Sequence, residues 1–443
     1  MERIVVKFGG SSLADAGQFQ KVKNIVKADS RRKIVVVSAP GKRNPDDEKI
    51  TDLLYRCQKL ATTGGDFSEP LAIIGQRFSE IAAALALDSP VPAALEELRT
   101  RLAAGCDADF AASRGEYCCA LLMAAYLGAE MIDPGLSVAI GGDGSVLPET
   151  YENLGKLLAD QTKTYVMAGF YGYDGSSGQR SIKTFSRGGS DISGAIAARA
   201  AGAVLYENWT DTSGILMADP RLIYDPKVIG EISFEEVREM AYMGASVFHD
   251  EAILPVREAG IPIRIRNTNR PHDPGTLITP KLSADALART EIAGIAGKQG
   301  FSMISVAKTM LHHQAGIAHK LLGTLVEHGI SFEHCPSSID SISVIMETEQ
   351  LAGKEKAVVA AIRRAIEPDS LVVEHNLALL AVVGEGMSSA VGIAGKVFTA
   401  LGNSGVNIRV INQGASEINI IIGVAAKDYE KAVLAIYMAF TAG

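Results

Sequence analysis

Apolar positions in the first forty residues follow two different periods. Ile4-Val5-Val6 and Ile34-Val35-Val36-Val37 are short β-branched runs that end at small residues, and between them Phe19, Val22, Ile25 and Val26 recur at helical spacing. This is the pattern of a strand, a crossover helix and a second, parallel strand. Residues 50 to 128 are rich in Ala and Leu, punctuated by Asp88-Ser89-Pro90 and Ala104-Gly105, which predicts several helices stacked beside the sheet. Strand patterns return at Tyr165-Val166-Met167-Ala168, Ala203-Val204-Leu205-Tyr206 and Ile263-Arg264-Ile265, with a helix opened by Ser190-Asp191 between the first two. Pro271, Pro274 and Pro280 lie in polar sequence and mark the end of this α/β domain near residue 290.

Beyond residue 300 the chain repeats itself. Gly316-Ile317-Ala318, Lys320, Leu325 and Gly329-Ile330 recur 76 positions later as Gly392-Ile393-Ala394, Lys396, Leu401 and Gly405-Val406, and Ile342, Val344 and Ile345 recur as Ile418, Ile420 and Ile421. Each copy reads as a strand (Met303 to Ala307, or Leu379 to Val383), a glycine-initiated helix, two apolar strands around a polar turn, and a last helix. Two such βαββαβ units can pair their sheets and bury the exposed edges, and modules of this kind commonly bind small molecules or partners rather than catalyse.

A length of 443 residues is enough for two or three domains, and 47% hydrophobic with 21% charged residues reads as globular. The formal charge of −8 argues against nucleic acid or an anionic membrane as a partner of the whole surface. Cys57, Cys106, Cys118, Cys119 and Cys335 lack the spacing of a zinc site or a redox pair and are expected as reduced, buried thiols. The chain begins at a strand pattern and no apolar run reaches membrane-spanning length, so a cytoplasmic location is expected.

Two glycine loops carry the candidate chemistry. In Ser186-Arg187-Gly188-Gly189-Ser190-Asp191 the glycines permit a turn closed to other residues, Ser190 or Asp191 is expected to cap the following helix, and Arg187 stands at the mouth. A helix N-terminus beside a guanidinium attracts phosphate or carboxylate. The second loop, Lys7-Phe8-Gly9-Gly10-Ser11-Ser12, lies at the carboxyl end of the first strand, where ligands bind in doubly wound sheets. It is no Walker loop, because the lysine precedes the glycines. Alone it would be a strand-end lysine and a tight turn; with the second loop it points to a phosphate site.

Those segments, with Val37-Ser38-Ala39, Thr51-Asp52-Leu53-Leu54, Arg114-Gly115-Glu116, Trp209-Thr210-Asp211, Asp219-Pro220-Arg221 and Pro274-Gly275-Thr276, resemble in order the motifs of aspartate kinases of the amino-acid kinase superfamily. The duplicated tail resembles the paired ACT domains of that family. The resemblance implies an α/β amino-acid kinase fold, a largely parallel sheet between helices, over residues 1–290, then two ferredoxin-like ACT domains at 300–376 and 377–443. It implies ATP-dependent phosphorylation of the side-chain carboxylate of L-aspartate, with Mg²⁺, as the first step of lysine, threonine and methionine biosynthesis. Lys7 would stabilise the transferring phosphoryl group and Asp191 orient that lysine. Gly9, Gly10 and Ser11 would line the phosphate path, and Thr210, Asp211 and Arg221 would bind nucleotide. Arg187 would hold the substrate α-carboxylate and Glu116 its ammonium, with Ser38, Thr51 and Ser190 around them.

The resemblance further implies inhibition by lysine, threonine or both at the ACT pair. Family ligand positions fall on Met310, Gln314, Gly316, Phe332, Ser338 and Asp340 in the first copy and on Asn407, Ile408, Gln413 and Glu417 in the second. A homodimer or homotetramer joined through these domains is expected. The chemistry agrees: an aspartate carboxylate, with a pKa of about 3.9, is already ionised at neutral pH, so no general base is needed, and none of the matching motifs above contains histidine. One departure stands out. Gly244-Ala245-Ser246-Val247-Phe248-His249-Asp250 carries Ser246 where many relatives have a second phosphate-facing lysine, and Leu216 replaces a common tyrosine. Arg221, Lys183 or the metal would then supply the charge; the alternatives are a catalytically weak or silent amino-acid sensor, or another kinase of the glutamate 5-kinase or acetylglutamate kinase type. A fused homoserine dehydrogenase is not expected, because no GxGxxG strand and helix follow the second copy.

Overall fold

The β-branched runs Ile4–Phe8 and Arg32–Val37 pair in parallel, as their spacing around one amphipathic helix requires, and they sit inside an eight-stranded sheet. The computed structural model describes residues 2–178, 180–186, 188–245, 250–289 and 291–442, with backbone alone at 250, 251 and 289. These fall into two compact units, one made of 1–215, 228–234 and 248–282, the other of 216–227, 235–247 and 283–443.

In the first unit the strand order is Glu130–Ile132, Tyr165–Ala168, Arg32–Val37, Ile4–Phe8, Leu205–Thr210, Ile263–Asn267, Thr276–Thr279, Glu231–Ser233. Neighbours run parallel except Ile263–Asn267 against Thr276–Thr279. Chain order reverses between Ile4–Phe8 and Leu205–Thr210, and such a switch point opens a crevice beyond the strand ends. Helices Ile50–Thr62, Ser68–Ala84, Val91–Ala103 and Ala108–Leu127 fill the Ala- and Leu-rich stretch and bury Leu53, Phe78, Leu98 and Leu122 with Val35 and Val37 of the sheet. The strand expected at Ala203–Tyr206 begins at Leu205 and runs to Thr210. Gly202 ends the preceding helix in the left-handed region (φ 57°) and the Ala203 amide still bonds to Ala198, so 203 and 204 are spent on the turn.

The second unit is built on two strands of 14 residues, Gly294–Ala307 and Ser370–Val383, in an antiparallel sheet ordered Ser341–Glu347, Gly294–Ala307, Ser370–Val383, Asn419–Ala425, Ile408–Asn412. Each long strand serves both copies of the repeat. Residues 301–307 pair with 341–347 and 303–307 also with 370–374, whereas 294–299 pair with 378–383. Two cores result, one around Ile304, Leu321, Val344 and Ile362, the other around Leu380, Val397, Ile422 and Ile436. The second copy therefore draws a strand from residues that precede the first. Residues 216–227, which the sequence puts in the catalytic stretch, send Ala218 and Ile223 into that second core. Among the described residues no helix is long and apolar enough to cross a membrane.

Candidate active site

Lys7 and Asn208 are register partners on the adjacent strands Ile4–Phe8 and Leu205–Thr210, so their side chains leave the sheet on the same face. Asp191 meets both from the first turn of the helix Gly189–Ala201. Lys7 Nζ lies 2.5 Å from Asp191 Oδ1, and Asn208 Nδ2 donates to the same oxygen at 2.8 Å. Lys7 is buried and Asp191 about one-fifth exposed, so the carboxylate neutralises an ammonium that would otherwise stand alone near the protein interior. The cap expected from Ser190 or Asp191 is absent. The N-cap is Gly188, with φ 61° and no side chain to bond; Ser190 and Asp191 lie inside the first turn, and the Asp191 carboxylate goes to Lys7 and Asn208. Ser190 sits against Gly169, where a Cβ would come within 2.7 Å of its Oγ.

Three loops close around this pair. The Gly9 amide donates to Trp209 O at 3.1 Å, the Ser38 amide to Phe8 O at 3.2 Å, and the Gly41 amide to Gly10 O at 2.8 Å. A Cβ on Gly10 would lie 2.9 Å from Ala39 O, and one on Gly41 2.6 Å from the Gly10 carbonyl carbon, so these backbones touch only because both residues are glycine. Ser12 and Thr268 share a buried hydroxyl bond of 2.7 Å that ties the first loop to the far strand. Ser11 is exposed beside it.

Glu116 comes from the helix Ala108–Leu127. Gly115 lets that helix press on the 38–41 loop, since a Cβ there would meet Ala39 Cβ at 2.9 Å and Ile50 at 3.2 Å. The Glu116 carboxyl is 5% exposed, takes a bond from the Ala39 amide, and leaves Oε2 without a hydrogen-bond partner. Burial pushes its pKa up to about 7, against which the backbone bond acts only in part. Thr51, partly exposed, is the second residue of the helix Ile50–Thr62 that packs on the same glycine. Arg114, beside it on the helix, donates to Ser113 Oγ, and its guanidinium sits 4.6, 4.3 and 5.6 Å from the rings of Phe110, Tyr117 and Tyr171.

Thr210 Oγ donates to Asp211 at 3.1 Å, and Asn267 Nδ2 donates to Asp211 O and to Ser213 Oγ, both at 3.1 Å, at the carboxyl end of the neighbouring strand. Arg221 belongs to the other unit and is held by Asp219 through contacts of 2.6 to 3.0 Å. Lys183 donates to Gly141 O at 2.5 Å and lines a cavity of about 780 Å³ with Asp143, Tyr151 and Arg199. Arg187 and Ser246 lie outside the described residues. Asn208, Gly41, Gly169 and the Ser12–Thr268 pair were missed in the sequence. For Asn208 the signal was the alternation of Tyr206, Asn208 and Thr210 against Glu207 and Trp209. The last two face the opposite side, where Glu207 binds Arg32 at 2.8 Å and Trp209 Nε1 at 2.9 Å.

In the second unit the expected effector residues divide. Met310, in the left-handed region with φ 58°, donates its amide to Asp340 Oδ1 at 2.8 Å, and Gly316 (φ 86°) caps the helix Ile317–Glu327. Ser338 is bonded to Ser341 O, Gln314 to Leu311 O, and Phe332 is 45% exposed. In the second copy Asn407, Gln413 and Glu417 are exposed, and Ile408 pairs with Val424. The corresponding residues there are Gly386 and Ser416, so a hydroxyl stands where the first copy has the Asp340 carboxylate.

The amino acid kinase family model matches residues 2–267, and an ACT domain model matches residues 380–440. Aspartokinase 3 of Bacillus subtilis is 39% identical, with 99% of each chain covered. The crystal structure of Clostridium acetobutylicum aspartate kinase, described as an allosteric enzyme, superposes with a TM-score of 0.91 at 46% identity, covering 99% of this chain and 100% of that one. Escherichia coli aspartokinase III aligns at a TM-score of 0.73 and 27% identity in its complex with aspartate and ADP, covering 99% of each chain. It aligns at 0.72 and 26% in its complex with lysine and aspartate, covering 100% of each. With the lysine–aspartate pair at the sheet's switch point and a repeated tail folded as one sheet, the chain belongs to the aspartokinases of the amino acid kinase family.

Proposed function

We propose that the chain transfers the γ-phosphoryl group of ATP to the side-chain carboxylate of L-aspartate, giving 4-phospho-L-aspartate and ADP. One observation carries this reading: the buried Lys7–Asp191 pair faces a glycine loop at the switch point, with the unpartnered carboxylate oxygen of Glu116 across the 38–41 loop. A side-chain oxygen of aspartate attacks the γ-phosphorus while the bond to the β–γ bridging oxygen breaks. No proton moves, because the nucleophile is already ionised.

The chain's own task is to align two mutually repelling anions and spread the developing charge. Lys7 supplies the charge, and Asp191 holds its ammonium at the strand ends. Gly9, Gly10 and Ser11 line the phosphate path, with the Gly9 amide held by Trp209 O and the bare backbone of the glycines allowing close approach. Glu116 takes the substrate ammonium and Arg187 its α-carboxylate, with Ser38, Thr51 and Ser190 bonding around them. Thr210, Asp211 and Arg221 serve the nucleotide. Among the described residues no three acidic, His or Cys side chains gather to hold an ion. Mg²⁺, which takes one or two carboxylates and otherwise phosphate oxygens and water, would neutralise phosphate charge when bound with ATP. The intact Lys7–Asp191 pair favours catalysis over a silent sensor.

Catalysis belongs to residues 1–290 and effector binding to 300–376 and 377–443. Lysine, threonine or both act at Met310, Gln314, Gly316, Phe332, Ser338 and Asp340 or at Asn407, Ile408, Gln413 and Glu417, a reading supported by the lysine complex of the Escherichia coli relative. The reaction opens lysine, threonine and methionine biosynthesis in the cytoplasm, and the chain works as a homodimer or homotetramer joined through its ACT sheets. Hydroxylamine trapping decides the activity: the acyl phosphate gives aspartyl hydroxamate from ATP and aspartate, and none from ATP and glutamate. Product from glutamate, or none from either, would overturn the reading.

A further inference from the structure

Asn208 is a neutral amide in the middle of a buried strand, 5% exposed, where an apolar residue would pack without cost. Its Nδ2 is bonded to Asp191 Oδ1, the oxygen that also meets Lys7 Nζ. The amide can face a carboxylate only with its nitrogen, so its oxygen is turned away, and Asn208 Oδ1 is buried without a hydrogen-bond partner. A strand that retains a polar side chain with half of its bonding unmet gains something other than stability. The helix that carries Asp191 is already fixed by other contacts. Tyr206 Oη donates to Asp191 O at 3.2 Å, and Gly194 lets the helix pack directly on the Tyr206 ring.

We propose that Asn208 is a positioning residue for phosphoryl transfer, which holds the Asp191 carboxylate through a neutral donor so that Lys7 remains free to serve the phosphate. The inference rests on the phosphotransfer reading above. An uncharged N–H fixes the carboxylate in place and satisfies one of its lone pairs, yet brings no positive charge to compete with the ammonium. A cation at 208 would pair with Asp191 permanently and repel Lys7, while an apolar residue would leave Asp191 with Lys7 as its side-chain partner and tie the two together.

The test compares Asn208→Leu, which keeps the branched outline of the side chain without its polar atoms, with Asn208→Ala, which leaves room for a water to donate to the partly exposed Asp191. Steady-state kinetics with ATP and aspartate should show kcat reduced about tenfold in the leucine variant and about threefold in the alanine variant, as expected for loss of one hydrogen bond to a charged group. KM values for both substrates should stay within twofold. A packing role reverses the order, since alanine opens a cavity and leucine does not. Equal or reversed ranking, unchanged kcat, or a loss confined to KM overturns the inference.

Coupling to Lys7 gives a second readout. In a Lys7→Arg background, whose longer fork no longer needs the same carboxylate position, Asn208→Leu should cost less than half its factor in the native chain. Full multiplication of the two losses overturns the inference, even if one variant is too unstable for the first comparison. Native protein that makes no hydroxamate would defeat the activity itself, an outcome distinct from native activity indifferent to position 208.

Discussion

Glu116 combines two demands that oppose each other at a single residue. Its carboxyl is buried with one oxygen unpartnered, and its pKa is raised to about 7 from the ordinary 4.5, chiefly by burial. The unfolded chain therefore releases this proton first. Its effect on stability is absent below about 4.5, grows as pH rises to about 7 and is constant above, reaching a destabilisation of about 3 kcal/mol. Glu116→Gln should accordingly raise the denaturant midpoint of the ligand-free protein at pH 8 and leave it nearly unchanged at pH 4.5. Function moves the other way. A substrate ammonium needs the ionised form, so KM for aspartate should rise up to about tenfold per unit as pH falls below 7, and the glutamine variant should show a high, pH-independent KM. A flat native profile would take Glu116 out of the substrate site. At this scale the sequence identified residues through motif order: Lys7, Asp191 and Glu116 stand in quoted motifs, whereas Asn208 lies in a strand whose polar residues hid its length. Periodicity also could not assign the Asp191 carboxylate to Lys7 rather than to its own helix, because that choice depends on a strand from the far end of the chain.

The elements around the site meet through backbone, which makes glycine the residue to alter. A Cβ at Gly41 would stand 2.6, 2.7 and 2.8 Å from Gly10 C, Gly10 O and Ser11 N, none of which belongs to a side chain that can swing aside. Gly41→Ala should push the 9–12 loop from the 38–41 loop, at about 1–3 kcal/mol of stability and with turnover lowered between about tenfold and a hundredfold by misplaced phosphate contacts. Denaturant melts and kcat measured together check both. Gly395→Ala is the control, because a Cβ there meets nothing within 4 Å inside the helix Ile393–Asn403, and it should gain up to about 1 kcal/mol. Near-native turnover in the Gly41 variant would mean that the loops are not locked together. Elements were the most legible level, since β-branched runs and helical spacing located the first strands and the helix between them. What escaped was their contact: no local pattern reveals that Gly10 and Gly41 are small because another backbone passes there, or Gly115 because the side chains of Ala39 and Ile50 press on it.

At the scale of the whole molecule the repeat was visible, but its two copies are not beads on a string. The register of the repeat located the helices and strands of both copies, while 294–299 fell between the expected domains, because its partners lie some eighty residues downstream at 378–383. The copies consequently differ in how they can be removed. Ending the chain after residue 376 strips 294–299 of that partner and leaves Ala218, Ile223, Ile292 and Ile295 without the second core that buries them. Cutting out 301–376 does neither. Gln299 and Ala378 are already paired across antiparallel strands, so Gly300 and Leu377, which remain between them, form a two-residue, glycine-first loop that can close the hairpin at little entropic cost. The excised chain should therefore keep the second core and run as a monodisperse species in light scattering, whereas the truncated chain, which retains the complete first core, should aggregate through its exposed edge and apolar face. If the copies were independent modules, removing either would be equally tolerated; soluble truncated protein beside aggregated excised protein would reverse the nesting altogether.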